Sequence, residues 1–286
     1  MRFRRVKSLI ALALIRSSAL IMVGAGVLIF IYLIVKGSVV INWTFLTDPP
    51  RQGMTSGGIF PAIFGTLCLM LLTLTFALPV GVASAIYFAE YAGRGSSHLN
   101  ILMRLATSIL AGVPSIVYGL LGLSLFVLYM RFGFSLLSAS LTLSILSLPV
   151  IIAASEESLR SVPDSYREAA VALGATKWQV VRHAVLPYAV PGIITSCILA
   201  LSRAAGETAP ILLTGAAYYH PRLPTSILDQ FMALPFHIFA LATQSVDPVK
   251  TRPIQFGAVL ILIMLVLGMN MAAILIRIRQ RRMAQA

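Results

Sequence analysis

The sequence predicts an all-α membrane protein that crosses the bilayer six times. Of its 286 residues, 58% are hydrophobic and 11% are charged, whereas soluble domains carry about 25% charged residues. Apolar runs long enough to form spanning helices recur along the chain, and because they are continuous rather than alternating they exclude a transmembrane β-barrel. The basic residues lie beside these runs, so the net charge of +13 indicates loops at a membrane surface and no nucleic-acid partner.

Six segments are expected to cross the membrane as a single domain that covers residues 1–286. The first is interpreted as an uncleaved span, because its apolar run is long for a signal peptide and no small-x-small cleavage site follows it. The second exceeds one bilayer crossing, so we expect it to tilt, to kink at Pro79 or to extend beyond the membrane. Gly112 and Pro114 allow a kink in the third. The segments are about 17–35, 59–90, 104–130, 136–155, 187–213 and 254–276.

The distribution of basic residues predicts how these spans are oriented. An even number of spans returns both termini to one side of the membrane. That side carries fifteen Lys and Arg residues, in the two termini, the loop at Arg94 and the segment 156–186, whereas the other side carries six. Because basic residues accumulate in cytoplasmic loops, we expect a multi-pass protein of the cell inner membrane with both termini and segment 156–186 in the cytoplasm.

Segment 156–186, here called the polar island, interrupts the apolar pattern between the fourth and fifth spans. The pair Ser165–Glu168 is typical of a capping box and predicts the start of a short helix. Gly174 then supplies a left-handed C-terminal cap, and a second capping box at Thr176–Gln179 starts another helix. Pro187 is expected to begin the fifth span. The polar island is therefore predicted as helix, glycine turn, helix and membrane re-entry.

The polar island resembles the EAA loop of ABC-importer permeases. Glu168–Ala170, Gly174 and Leu186–Pro187 have the spacing of that motif, while Ala184 stands where the family often has isoleucine. The resemblance implies a type I ABC importer permease fold and a cytoplasmic loop that docks in a groove of an ATPase subunit. The alternative is an ordinary amphipathic loop. The residues expected at the docking contact are Glu168, Ala169, Ala170, Gly174 and Trp178; for Trp178, an aromatic contact anchor, packing against its own bundle is the alternative.

The fifth span contains a charged pair, Arg203 and Glu207, four residues apart and therefore on one helix face. A charge inside a span is costly and usually faces a cavity or a partner charge. A guanidinium can hold a tetrahedral oxyanion through two hydrogen bonds, so Arg203 is predicted to line an anion pathway together with Ser202, Glu207 and Thr208. Pro210 is expected to break the helix one turn later. The alternative is a structural ion pair that locks the bundle.

The segment Arg203–Pro210 narrows the resemblance. It reads Arg-x-x-Gly-Glu-Thr-Ala-Pro and is similar to phosphate permeases of the Pst type. The basic N-terminus and the Gly-Gly-Ile-Phe-Pro run at Gly57–Pro61 resemble the PstA-type subunit. This resemblance implies ATP-driven phosphate import with an ATPase subunit dimer, a second homologous permease subunit of the PstC type, a periplasmic phosphate-binding protein and membrane lipid as partners. No cofactor is expected in this chain, because ATP and Mg would bind the ATPase.

Several classes of function are weighed against this interpretation. The sequence has no Walker A motif and no nucleophile–base set in a polar context, so it predicts a transport subunit and not an enzyme. Cys68 and Cys197 are expected to be buried free thiols, and no metal site is predicted. An importer for sulfate, molybdate or phosphonate stays open as an alternative, and so does a self-sufficient anion transporter or channel. The polar island disfavours the latter, because such a transporter needs no EAA loop.

Two further features of the chain carry structural expectations. Glu90, Glu156 and Glu157 end apolar segments and are expected to be solvated charges at the membrane boundary. The loop 225–244 is apolar in patches and is predicted as a hairpin that lies on the outer membrane face or dips into it.

Overall fold

The computed structural model describes residues 2–92, 98–245 and 247–283. The loop around Arg94 lies outside these residues. A short antiparallel hairpin pairs β1 (Pro50–Arg51) with β2 (Ser56–Gly57). The helices of the described part are α1 Arg2–Gly37, α2 Trp43–Thr47, α3 Phe60–Ile86, α4 His98–Gly112, α5 Ser115–Gly122, α6 Leu136–Arg160, α7 Asp164–Ala172, α8 Lys177–Gln179, α9 Leu186–Ala204, α10 Ala209–Leu212, α11 Leu234–Thr243 and α12 Pro248–Met283. Three π-helical turns adjoin them, Tyr87–Tyr91 after α3, Leu123–Tyr129 after α5 and Val180–Val185 before α9.

In these described ranges, five helical segments are long and apolar enough to cross a membrane, and a bent pair makes a sixth if it counts as one span. The multi-pass all-α architecture is therefore confirmed. The third predicted span is this bent pair, α4 and α5, which meet at an angle of 105°. Pro114 lies at the bend with extended backbone, because its ring and its missing N–H prevent the helix from continuing through it. By contrast, α3 continues through Pro79.

The fifth predicted span corresponds to α9, which begins at Leu186 with Pro187 in its first turn. Helical backbone continues on the N-terminal side of α9 back to Lys177. Pro187 has no backbone N–H to donate within the helix. The π-helical turn Val180–Val185 shifts the hydrogen-bond register just ahead of it. Helix α9 ends at Ala204, earlier than the predicted span 187–213. It cannot continue through Pro210, because the ring of that proline would clash with the carbonyl four residues back, at Gly206. Pro210 instead lies in the first turn of α10.

Helix α6 forms the centre of the bundle and packs mainly against α3 and α9. Several of its serine and threonine hydroxyls donate to carbonyls one turn back, as in Ser144 to Ser140 O at 2.6 Å. Ser144 also donates to Thr73 O of α3 at 3.0 Å, and Ser155 and Ser196 hydroxyls join α6 to α9 at 3.0 Å. These small polar residues allow the three helices to approach closely.

The predicted hairpin at 225–244 contains the short helix α11, most of whose apolar residues are buried, although Phe239 is exposed. The backbone N–H of Leu234 donates to Thr66 Oγ1 of α3 at 2.8 Å. Gly65 lies so close that a Cβ there would be 2.1 Å from the carbonyl oxygen of Met232. The segment that leads into α11 is therefore clamped against α3 by a glycine contact and a buried hydrogen bond.

Candidate functional sites

The charged pair predicted in the fifth span lies where α9 ends. Gly206 N donates to Arg203 O at 3.1 Å and Glu207 N to Ala204 O at 3.3 Å, which closes the helix in a tight turn. Arg203 Nε is 3.6 Å from Glu207 Oε1, a distance that makes an ion pair but not a hydrogen bond. The Arg203 side chain is 42% exposed and that of Glu207 is 17% exposed. The pair therefore combines a reachable guanidinium with a largely covered carboxylate.

Two interrupted helices meet beside this pair. A Cβ at Gly119 of α5 would lie 3.1 Å from Pro210 Cα and 3.2 Å from Ala209 O, so α5 and α10 are in direct backbone contact. Each of these helices follows a break, one at Val113–Pro114 and one after Ala204. Thr208 occupies the start of α10 and accepts from Leu212 N at 3.0 Å. Transporters place substrates at discontinuous helices of this kind, since the breaks free backbone groups for binding.

Ser202 has a different environment from the charged pair. Its hydroxyl lies within hydrogen-bond reach of the Asn270 side-chain amide of α12. The hydroxyl is 3.1 Å from Asn270 Oδ1, to which it can donate, and 2.9 Å from Asn270 Nδ2, from which it can accept. Consecutive helical residues point in directions about 100° apart, so Arg203 and Ser202 serve different contacts. Ser202 joins α9 to α12.

The first helix of the polar island starts at Asp164 and not at the predicted capping box. Pro163 holds the extended backbone of the N-cap position, and no side chain caps the helix. Ser165 is already helical, so its hydroxyl cannot occupy the N-cap position that a capping box requires. The predicted capping box at Ser165–Glu168 is therefore wrong. Asp164 supports the start of α7 instead, since a carboxylate in the first turn complements the helix dipole.

The glycine turn and the second capping box are confirmed. Gly174 has a φ of +81°, and Ala175 N donates to Ala170 O at 3.1 Å across the end of α7. Thr176 and Gln179 form the capping box that starts α8, with Thr176 N donating to Gln179 Oε1 at 2.7 Å. The turn therefore has the αL geometry that glycine adopts most readily.

Four of the five docking residues predicted from the sequence are exposed on the polar island. Glu168, Ala169, Gly174 and Trp178 are exposed, while Ala170 is half-buried against the core below. The sequence analysis missed Val171 and Leu173, which are 61% and 89% exposed. Large apolar side chains exposed on a polar segment are candidates for an interaction surface. The sequence alone could have indicated these two residues, since each is a large aliphatic residue within an otherwise polar segment.

Of the three acidic residues predicted to be solvated at the ends of apolar segments, Glu157 is exposed, whereas Glu90 and Glu156 are not. The Glu90 side chain is 8% exposed and accepts from Arg167 Nη2 at 2.8 Å. Glu156 is largely covered and pairs with Arg104 at 2.7 Å and with Arg160 at 2.9 Å. A carboxylate that leaves water needs a partner charge, and arginines distant in sequence provide it here. Cys68 and Cys197 are free thiols, half-buried and buried respectively.

Comparison with known proteins identifies the family. The model for the binding-protein-dependent transport system inner membrane component matches residues 77–284. A protein of Bacillus subtilis (strain 168) named probable ABC transporter permease protein YqgI is 31% identical over 94% of this chain and 95% of its own length. The phosphate transport system permease protein PstA 1 of Mycobacterium tuberculosis (strain ATCC 25618 / H37Rv) is 35% identical over 84% of this chain and 77% of its own length.

Solved structures agree on the fold. A chain of the MetNI methionine ABC transporter superposes with a TM-score of 0.58 at 19% identity, covering 78% of this chain and 94% of that one. A bacterial ABC transporter that imports the polysaccharide alginate gives a TM-score of 0.58 at 17% identity, over 90% and 96% of the two chains. The fold is therefore that of a type I ABC importer permease, and the chain belongs to the family of binding-protein-dependent transport system inner membrane components.

Proposed function

We propose that this chain is the PstA-type membrane subunit of an ATP-driven importer that moves inorganic phosphate into the cytoplasm. The observation that carries the proposal is the similarity, over most of both chains, to a relative named as a phosphate transport permease. The charged pair at the end of α9 supplies a physical basis for that substrate, because its guanidinium is reachable and lies beside two interrupted helices.

Arg203 attracts the anion in this proposal. Its planar guanidinium can donate two parallel hydrogen bonds to a tetrahedral oxyanion, which the single ammonium of lysine cannot do with the same geometry. Within the described residues the guanidinium makes no hydrogen bond, and its contact with Glu207 runs from Nε at 3.6 Å. The two terminal nitrogens thus remain available for an anion beside α5 and α10.

Glu207 discriminates between anions. A carboxylate repels an oxyanion, but phosphate near neutral pH carries a proton that can donate a hydrogen bond to Glu207, whereas sulfate has none. The distance of 3.6 Å from Arg203 leaves Glu207 free of a direct hydrogen bond from that residue. Attraction by one residue and rejection by its neighbour is a common arrangement for specificity. Thr208, at the start of α10, is a further candidate on this pathway.

The polar island docks on the ATPase in this proposal, with the exposed face of α7, the Gly174 turn and Trp178 at the contact. Hydrolysis of ATP with Mg takes place on an ATPase subunit dimer. A second permease subunit of the PstC type completes the pathway, and a periplasmic phosphate-binding protein delivers the substrate. Both termini lie in the cytoplasm and the chain lies in the cell inner membrane, an orientation supported by the excess of basic residues on that side.

The experiment that tests the substrate assignment compares Glu207→Gln and Arg203→Lys in proteoliposomes that contain the whole complex. The binding protein also selects, so the assay uses a variant that transports without it, or measures anion binding to the permease directly. Arg203→Lys should lower phosphate transport by at least about tenfold, the factor that one charge-assisted hydrogen bond contributes. Glu207→Gln should impair phosphate transport and admit sulfate.

A matched control variant and two refuting outcomes complete this test. Arg160→Lys makes the same change at an arginine whose side chain is 52% exposed and lies on the polar island side of α6, and it should leave transport unchanged. Unaltered selectivity in Glu207→Gln, with only a lower protein yield, would mean that the pair is structural. Preferred transport of sulfate or molybdate by the unmodified complex would refute phosphate as the substrate.

A further inference from the structure

One arginine of the polar island connects three helices. Arg167, on α7, donates to Glu90 in the π-helical turn after α3 through Nη2 at 2.8 Å and Nε at 3.2 Å. Its Nη1 donates to Val162 O at 2.7 Å and its Nη2 to Leu159 O at 2.9 Å. Leu159 is in the last turn of α6, whose carbonyls have no partner within the helix. The guanidinium therefore holds α7 against both the end of α3 and the end of α6.

This contact is largely shielded from water. The Glu90 and Arg167 side chains are 8% and 20% exposed, so the ion pair is screened less than the surface pairs of the chain. A second ion-pair contact, Arg167 to Asp164 at 3.2 Å, stays within α7, and Asp164 is 76% exposed. The contact with Glu90 is therefore the one that crosses between elements and resists separation.

The neighbouring residue of the same turn holds the other side of the polar island. Lys177 Nζ, at the start of α8, lies 4.8 Å from the centre of the Tyr91 ring, a cation–π distance. Glu90 and Tyr91 thus contact α7 and α8 on either side of the Gly174 turn. Below them, Leu159, Val162 and Val185 are buried in one apolar cluster that Ala170 also contacts. The whole polar island is attached to one end of α3.

We infer that Arg167 is a positioning residue, which makes α7 and the end of α3 move as one body when an ATPase displaces the polar island. The inference rests on the proposed docking of the polar island to an ATPase. Without this contact, α7 would be held to the bundle only by the turns at Ser161–Pro163 and Gly174 and by the packing of Val162 and Ala170, so an ATPase could tilt it with a smaller displacement of α3. With the contact, a displacement of α7 pulls on α3, which packs along α6 through the bundle.

The test separates docking from transmission in the assembled complex. Glu90→Ala removes the acceptor from α3 and leaves the docking face of α7 unchanged. The ATPase should co-purify in wild-type amount and hydrolyse ATP within about twofold of the wild-type rate, while phosphate transported per ATP falls by roughly tenfold, the factor expected for a charge-assisted hydrogen bond. Glu90→Asp keeps the carboxylate and should restore much of the lost coupling.

Further variants keep the inference open to refutation. Because Glu90→Ala leaves a shielded guanidinium unpaired and can lower protein yield, Glu90→Gln, which preserves shape, is measured in parallel. Arg160→Gln is the matched control, since it breaks an ion pair within α6 and should leave the ratio unchanged. A wild-type ratio of phosphate to ATP in both Glu90→Ala and Glu90→Gln overturns the inference, and so does loss of the ATPase from these variants, which would make the contact one for docking alone. Failure of the unmodified chain to co-purify with any ATPase would instead overturn the proposed function itself.

Discussion

Substitution of Gly174 tests whether the backbone geometry of the turn between α7 and α8 matters for coupling. The residue has a φ of +81°, and a Cβ there would meet no atom within 4 Å. A substitution therefore introduces no clash within this chain, and its cost comes from the left-handed backbone alone. That cost is about 1–2 kcal/mol for an ordinary L-residue, which corresponds to a factor of roughly 5–30 in the population of the native turn.

Three variants separate backbone strain from side-chain size. Gly174→Ala adds strain with the smallest side chain, Gly174→Leu adds the same strain with a large one, and Gly174→Asn adds size with less strain because asparagine tolerates the left-handed region. We expect all three proteins to insert normally. Transport per ATP should fall for Gly174→Leu and Gly174→Ala by a factor in the range above, and less for Gly174→Asn.

The assay measures membrane insertion, ATPase co-purification, ATP hydrolysis and phosphate uptake on the same preparations. Normal transport by Gly174→Leu would refute a docking role for this turn. If Gly174→Asn were as defective as Gly174→Leu while Gly174→Ala remained normal, the size of the side chain at the contact would decide the effect, and the explanation from φ would be wrong.

Other predictions concern packing, pH and topology. Gly65→Ala should lower the melting temperature, since its Cβ would lie 2.1 Å from Met232 O and overpacking costs about 1–3 kcal/mol. The control is Gly112→Ala, whose Cβ meets nothing within 4 Å. Equal melting temperatures of the two variants would contradict the close contact at Gly65. Hydrogen bonds from the Ser226 backbone amide and from Thr225 lower the pKa of Asp229, so this carboxylate stabilises its loop above the ordinary aspartate pKa of about 4 and loses that effect as pH falls through its depressed value. The protection of the loop amides against hydrogen exchange, measured relative to their intrinsic rates at each pH, should accordingly fall at acidic pH. Asp229→Asn should show low protection already at neutral pH, and a pH-independent protection of the wild-type loop would refute this. Fusion reporters should show cytoplasmic signals after Gly95, Lys177 and Arg282 and periplasmic signals after Arg51 and Pro224, and a periplasmic signal after Lys177 would overturn the proposed orientation.

Local sequence determined the helices and the glycine turn. Continuous apolar runs leave a helix as the way to satisfy backbone groups in a bilayer, so the all-α multi-pass fold followed from composition and run length. Gly174 and the Thr176–Gln179 box specified their conformations because the interactions involved lie within three or four residues. The charged pair Arg203 and Glu207 was visible for the same reason, since a spacing of four residues brings side chains together locally.

Tertiary structure decided the features that join distant parts of the chain. Glu90 and Arg167 are 77 residues apart, and a local pattern cannot show that one charged residue at the end of a span is covered by another from a different loop. Ser202 and Asn270 are 68 residues apart, yet their side chains lie within hydrogen-bond reach and join α9 to α12. The end of α9 and the bend at Pro114 depend on whether the backbone around a proline breaks the helix, as at Pro114, or continues it, as at Pro79. Sequence thus determined which segments are helical, and packing determined which of their polar groups meet, because burial of a charge or hydroxyl is favourable only where the assembled bundle supplies its partner.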